Sequence, residues 1–204
     1  MYNPYIKRVL DFCGALFLTV LLCPVMLIIA CAILLFMGRP VVFKQKRIGK
    51  GEKPFYLYKF RTMLNTPPEG ENAPNDAQRI TALGKFLRKS SLDELLQLFN
   101  VLKGDMSFVG PRPLLPRYLP YYTNTEHLRH TVKGGITGLA QTSGRNNLSW
   151  DEKLALDVEY AKNVSFLNDL KIAATTVFLV LKCKDVKTGQ AEEYLDACRK
   201  NKHH

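Results

Sequence analysis

Between Asp11 and Arg39 the chain runs 27 residues, Phe12 to Gly38, without a charge. As a straight helix rising about 1.5 Å per residue, that run would reach about 40 Å, more than the ~30 Å hydrocarbon core of a bilayer. Pro24 sits near its middle and removes one backbone hydrogen bond, which bends or breaks a helix there. The flanks bear on topology as well. Lys7 and Arg8 precede the run, and Arg39, Lys44, Lys46, Arg47 and Lys50 follow it. A single pass would set one basic cluster on the non-cytoplasmic side, against the positive-inside tendency. A re-entrant hairpin over residues 1–38, a helix–break–helix turning at Cys23-Pro24, keeps both clusters beside anionic lipid. That hairpin is the preferred reading, with a spanning helix as the alternative. A cleaved signal peptide is disfavoured, because the residues after Cys31 remain apolar.

Outside this run the chain is basic. Its 29 Lys and Arg exceed 18 Asp and Glu in 204 residues, a net +11 that calls for an acidic partner: nucleic acid, anionic lipid or a phosphorylated substrate. The five cysteines, Cys13, Cys23, Cys31, Cys183 and Cys198, are odd in number and lack two-residue spacing, so neither a disulfide framework nor a thiolate metal site fits. His127 and His130 read as surface residues. Nucleic acid is excluded as partner, since no recognised binding element and no basic face interleaved with aromatics occurs.

The remainder predicts a mainly α fold with a short β-hairpin. Val41-Val42-Phe43 and Phe55-Tyr56-Leu57-Tyr58 are β-prone runs separated by glycines. Residues 65–76 form a loop, and helices are expected over 79–89, 92–103, 150–162 and 169–184. Residues 104–147, rich in glycine and proline, read as long structured loops with short helical turns. The uncharged stretch 172–181 is too short to span and belongs to the core or the membrane interface. The expected organisation is therefore the hairpin (1–38), a compact membrane-associated catalytic domain with interfacial amphipathic helices (39–184) and a charged tail (185–204).

Three clusters could carry chemistry. Ser91-Leu92-Asp93-Glu94 has the form of a capping box that opens a helix. On the opposite face Asp93, Gln97 and Asn100 make a polar line starting at the positive end of the helix dipole, where an ionised carboxylate could act as nucleophile or hard-metal ligand. Pro111-Arg112-Pro113 fixes the backbone on both sides of one arginine, as bidentate phosphate recognition requires. The glycine-rich stretch 134–141, continuing to Gly144-Arg145, either turns tightly or brings amides close to an anion.

Together with Lys59-Phe60-Arg61-Thr62-Met63 and Gly104-Asp105-Met106-Ser107, these motifs occur in an order that resembles the bacterial sugar transferase family, the small monotopic phosphoglycosyl transferases. The resemblance implies a Mg²⁺-dependent enzyme on the cytoplasmic face of the bacterial inner membrane. It would move a sugar 1-phosphate from a UDP-sugar to undecaprenyl phosphate and release UMP. Asp93 and Glu94 would form the catalytic dyad and share the Mg²⁺, Asp93 carrying a covalent phospho-sugar. Lys59, Arg88, Arg112, Arg145 and Gln141 would contact the substrates. Downstream glycosyltransferases are implied as candidate partners. Within the family the chain looks like a minimal form, most like the branch that transfers N,N'-diacetylbacillosamine phosphate, with UDP-GlcNAc, UDP-galactose and UDP-glucose as alternative donors. A non-catalytic basic membrane scaffold is the distant rival. Gly134 and Leu96 stand where the family usually has proline.

Overall fold

The computed structural model describes residues 4–64, 79–144, 148–182 and 194–200. The apolar run forms helix α1, Pro4–Met37. Its α-helical hydrogen bonding continues through Pro24, so the expected separation into two helices at Cys23-Pro24 is not seen. A proline removes one donor, and the bonds on either side of it are enough to carry the helix on. Phe17, Val20, Leu21, Ile28, Leu35 and Phe36 are exposed along α1, an apolar surface far too extensive to face water. Cys13, Cys23 and Cys31 are exposed on the same helix. This helix attaches the protein to a membrane.

Residues 1–38 are nevertheless no separate packing unit. Ala15, Met26, Ile29 and Ile33 of α1 are buried in one core with Leu57, Phe60, Leu87, Leu98, Val101 and Met106. Polar side chains fasten both ends of α1 to that body. At the start, Arg8 donates to Val101 O (2.5 Å) and Leu102 O (2.8 Å), and the Asp11 carboxylate accepts from Phe108 N (3.1 Å). At the end, buried Arg61 donates to the carbonyls of Met37, Gly38 and Arg39, which the helix leaves without partners of their own.

The expected hairpin is present as strands β1 (Val42–Ile48) and β2 (Pro54–Phe60), antiparallel with Gln45 opposite Leu57. Helix α2 (Ala82–Lys89) follows, capped by the Thr81 hydroxyl, which accepts from Gly84 N at 3.0 Å. The single helix expected over 92–103 is split into a 3-10 turn, Leu92–Glu94, and helix α3, Gln97–Lys103. Buried Asn100 of α3 accepts from Tyr58 N (3.1 Å) and donates to Tyr56 O (2.7 Å), satisfying backbone groups of β2. The polar line read from the sequence therefore turns inward at Asn100.

Residues 104–144 add a strand pair to the expected loops and helical turns. Strands β3 (Met106–Val109) and β4 (Gly134–Thr137) pair in parallel, and helix α4 is Leu139–Ser143. Only glycine fits at Gly135, since a Cβ there would lie 2.1 Å from Gly110 N. Helix α5, Trp150–Lys162, carries a complete capping box, Ser149 with Glu152. Helix α6, Phe166–Leu181, buries Ile172 and Asp169 and exposes Leu167, Leu170, Val177 and Phe178, the pattern of an interfacial helix. Part of the expected tail also folds back. Helix α7, Leu195–Lys200, buries Leu195 against Leu114, Tyr118 and Leu154, and Arg199 pairs with Glu126 and Asp151.

Candidate active site

The sequence Lys59-Phe60-Arg61-Thr62 at the end of β2 distributes four tasks. Lys59 reaches the acidic pair, Phe60 enters the core, Arg61 closes α1, and the Thr62 hydroxyl accepts from Arg88 Nε at 2.9 Å. Gly84 lets α2 lie against the Thr62 backbone, so Leu87 and Arg88, on the same helix face, meet β2.

Asp93 and Glu94 stand in the 3-10 turn, not at the start of an α-helix. Ser91 adopts a left-handed conformation (φ 59°, ψ 15°) and makes no side-chain cap, so the expected capping box does not form. The Glu94 side chain goes elsewhere. Its Oε1 accepts from Lys59 Nζ at 2.6 Å and from Arg112 Nη2 at 3.2 Å. Burial alone would raise the Glu94 carboxyl, but the charges and hydrogen bonds of Lys59 and Arg112 overcome it and hold the group at about 2.

Asp93 is the opposite case. Its carboxylate is buried, lies 3.8 Å from Lys59 Nζ and accepts no hydrogen bond among the described residues. Burial pushes the Asp93 carboxyl above its ordinary value and the neighbouring Glu94 charge adds to the push, against the pull of Lys59, Arg88 and Arg112. The site therefore contains one carboxylate neutralised by two cations and one whose ion pair is the longer 3.8 Å approach of Lys59, at raised basicity. Adjacent groups of one type driven apart in this way divide between different roles.

Lys59, Arg88 and Arg112 thus converge on the acids, as the sequence suggested. Gln141 lies on α4, where its Nε2 donates to Ile136 O at 3.4 Å and its Oε1 is buried without a partner among the described residues. Arg145 and the loop 65–76 lie outside the described residues. Two further residues line the cleft with Lys59, Arg112 and Gly135: Arg47 and Gln97. Burial, and then the charge of Arg112, lower the Arg47 guanidinium to about 10. The sequence carried a signal for Arg47 in strand alternation, which sets Gln45 and Arg47 on the face of Leu57 and Lys59, away from Lys44 and Lys46. His130 corrects the surface reading. It is buried, its Nδ1 is 3.2 Å from Gly49 O, and desolvation pushes it down to about 4.

Residues 2–183 match the family described as bacterial sugar transferase. The chain belongs to that family. An uncharacterized sugar transferase of Bacillus subtilis (strain 168), EpsL, is 51% identical over 176 residues, covering 86% of this chain and 87% of that one. The UDP-glucose:undecaprenyl-phosphate glucose-1-phosphate transferase of Caulobacter vibrioides is 40% identical, covering 84% of this chain and 68% of its own. The undecaprenyl-phosphate galactose phosphotransferase of Salmonella typhimurium is 37% identical over 87% of this chain, which spans only 41% of that relative. Family membership makes the protein a sugar-phosphate transferase. The match ends at residue 183, before α7.

Proposed function

We propose that this protein transfers a sugar 1-phosphate from a UDP-sugar to undecaprenyl phosphate through a covalent intermediate on Asp93. The inequality of the dyad carries the reading. Glu94 is committed to Lys59 and Arg112, while the Asp93 carboxylate stands buried and free of hydrogen bonds from the described residues, as a nucleophile should. In the first step an Asp93 oxygen attacks the sugar-bearing phosphorus, and the bond to the other phosphate breaks as UMP leaves with the electron pair. In the second, an oxygen of undecaprenyl phosphate attacks the same phosphorus and expels the Asp93 carboxylate. Lys59, Arg88 and Arg112 would hold diphosphate oxygens as charge builds on the transferred group.

The dyad suits Mg²⁺. No group of three ligating side chains occurs among the described residues, but Mg²⁺ is commonly held by one or two carboxylates with substrate phosphates completing the shell. Asp93 would be the first ligand and the second oxygen of Glu94 the other. Bound there, the ion would neutralise diphosphate charge. The +11 charge, anionic lipid and two phosphorylated substrates belong together on the cytoplasmic face of the inner membrane. A re-entrant α1 is supported by the attachment of both its ends to one body, whereas a single pass would send them to opposite sides.

For the donor, relatives named for galactose, glucose and N-acetylgalactosamine support a hexose of that class. The N,N'-diacetylbacillosamine expected from sequence has no counterpart among those names. Release of UMP from a panel of UDP-sugars, with and without Mg²⁺ and undecaprenyl phosphate, tests the reading. Turnover with UDP-galactose or UDP-glucose is expected, and no UMP from any donor would overturn it.

A further inference from the structure

Arg112 reaches Glu94 from a segment with little secondary structure, and its own side chain is 47% exposed. The backbone that carries this side chain is held as well. Three consecutive carbonyls of that segment are each held. Pro111 O accepts from Gly135 N (3.0 Å), Arg112 O from Arg129 Nη2 (2.7 Å), and Pro113 O from Arg47 Nη1 (3.2 Å).

The middle bond is unusual in its support. Arg129 is only 2% exposed, and it also donates to Asp157 Oδ2 through Nη2 (2.6 Å) and Nε (3.1 Å). Asp157 is buried too, and its Oδ1 has no partner. A buried pair with one unsatisfied oxygen is a poor device for stability, because desolvating two charges offsets most of their attraction. The pair does something an apolar pair could not: it fixes a planar guanidinium so that Nη2, while bonded to Asp157, also donates to the Arg112 carbonyl, with Nη1 left to the Tyr122 hydroxyl at 3.5 Å.

We propose that Arg129 and Asp157 are positioning residues, a buried pair that sets the Pro111-Arg112-Pro113 segment so that Arg112 meets Glu94. This rests on the transferase reading of the site and deepens it. Neither residue touches the dyad; both act through Arg112.

Removing Arg129 alone would strand the Asp157 charge and risk unfolding. The test is therefore the paired replacement Arg129→Met with Asp157→Leu, which keeps volume and apolar packing, compared with wild type and repeated in an Arg112→Ala background. The full-length protein is held in lipid nanodiscs. With UDP-galactose or whichever UDP-sugar the wild type turns over, kcat for UMP release should fall by about 10- to 100-fold, the worth of a hydrogen bond made by a charged group. Thermal unfolding should stay cooperative. In the Arg112→Ala background the same replacement should cost less than about twofold. Arg129→Lys should recover part of the rate, since it keeps the charge without the fork. Amide exchange over residues 108–115 should quicken, with α5 still protected.

Unchanged turnover and unchanged exchange in a folded paired variant would overturn the proposal, and so would an undiminished loss in the Arg112→Ala background. A wild type that releases no UMP from any donor would remove the transferase reading instead. The exchange measurement would then decide the positioning claim by itself.

Discussion

Replacing Glu94 with Gln keeps the side chain's shape and removes the charge on which Lys59 and Arg112 converge. The carboxyl titrates at about 2, against an ordinary 4.5, because the two cations outweigh its burial. At about 1.4 kcal/mol per pH unit, that lowering is worth about 3 kcal/mol of folding stability. The side chain is 19% exposed, so solvent screening trims this figure without cancelling it. The group is depressed in the folded state. Its contribution is therefore complete above the unfolded value, near 4.5, and drains away as pH falls toward 2. For a chain of this length, 1 kcal/mol moves the melting temperature by about 2–4 °C, which places Glu94→Gln about 6–12 °C below wild type at pH 7. Scanning calorimetry at pH 7, 4.5 and 3 reads both the gap and its closure. The gap should change little between pH 7 and 4.5 and shrink by about half or more at pH 3. A gap indifferent to pH, or no gap, would refute the reasoning that Glu94 is held ionised by Lys59 and Arg112.

Two other substitutions probe how the fold delivers the site. Gly84→Ala would set a Cβ 1.9 Å from Thr62 O, so α2 must move away and carry Arg88 with it. Thermal unfolding should show a loss of about 1–3 kcal/mol, with slower UMP release. Leu195→Ala empties a fully buried position under α7 and should cost about 2 kcal/mol by chemical denaturation, testing whether this helix is part of the folded unit.

Much of this architecture was legible because its signals are long or repeated. The charge-free run predicts α1, and helix α5 occupies the very residues, 150–162, that its polar and apolar spacing indicates. The two β-prone runs pair as expected, and the motif residues Lys59, Arg88 and Arg112 gather on the two acids. The failures have local causes. Ser91-Leu92-Asp93-Glu94 satisfies the pattern of a capping box, but that pattern cannot anticipate a lysine 35 positions upstream that draws Glu94 away, nor the left-handed turn at Ser91. Strands β3 and β4 are four residues each and one begins with two glycines, too short for any periodicity to register. Pro24 suggests a break, and the helix bonds past it. Arg129 and Asp157 are 28 positions apart and belong to none of the motifs, so only the folded chain brings them to the Arg112 carbonyl.

The central claim is that the Asp93 carboxylate, paired only at 3.8 Å with Lys59, takes the phospho-sugar. Intact-protein mass measured after incubation with Mg²⁺ and UDP-galactose or UDP-glucose, without lipid acceptor, tests it directly. Wild type should gain one sugar-phosphate mass with about one UMP released per chain, and Asp93→Asn should gain none. A folded wild type that shows no adduct yet releases UMP once undecaprenyl phosphate is added would contradict the covalent route and make the lipid phosphate the direct attacking group.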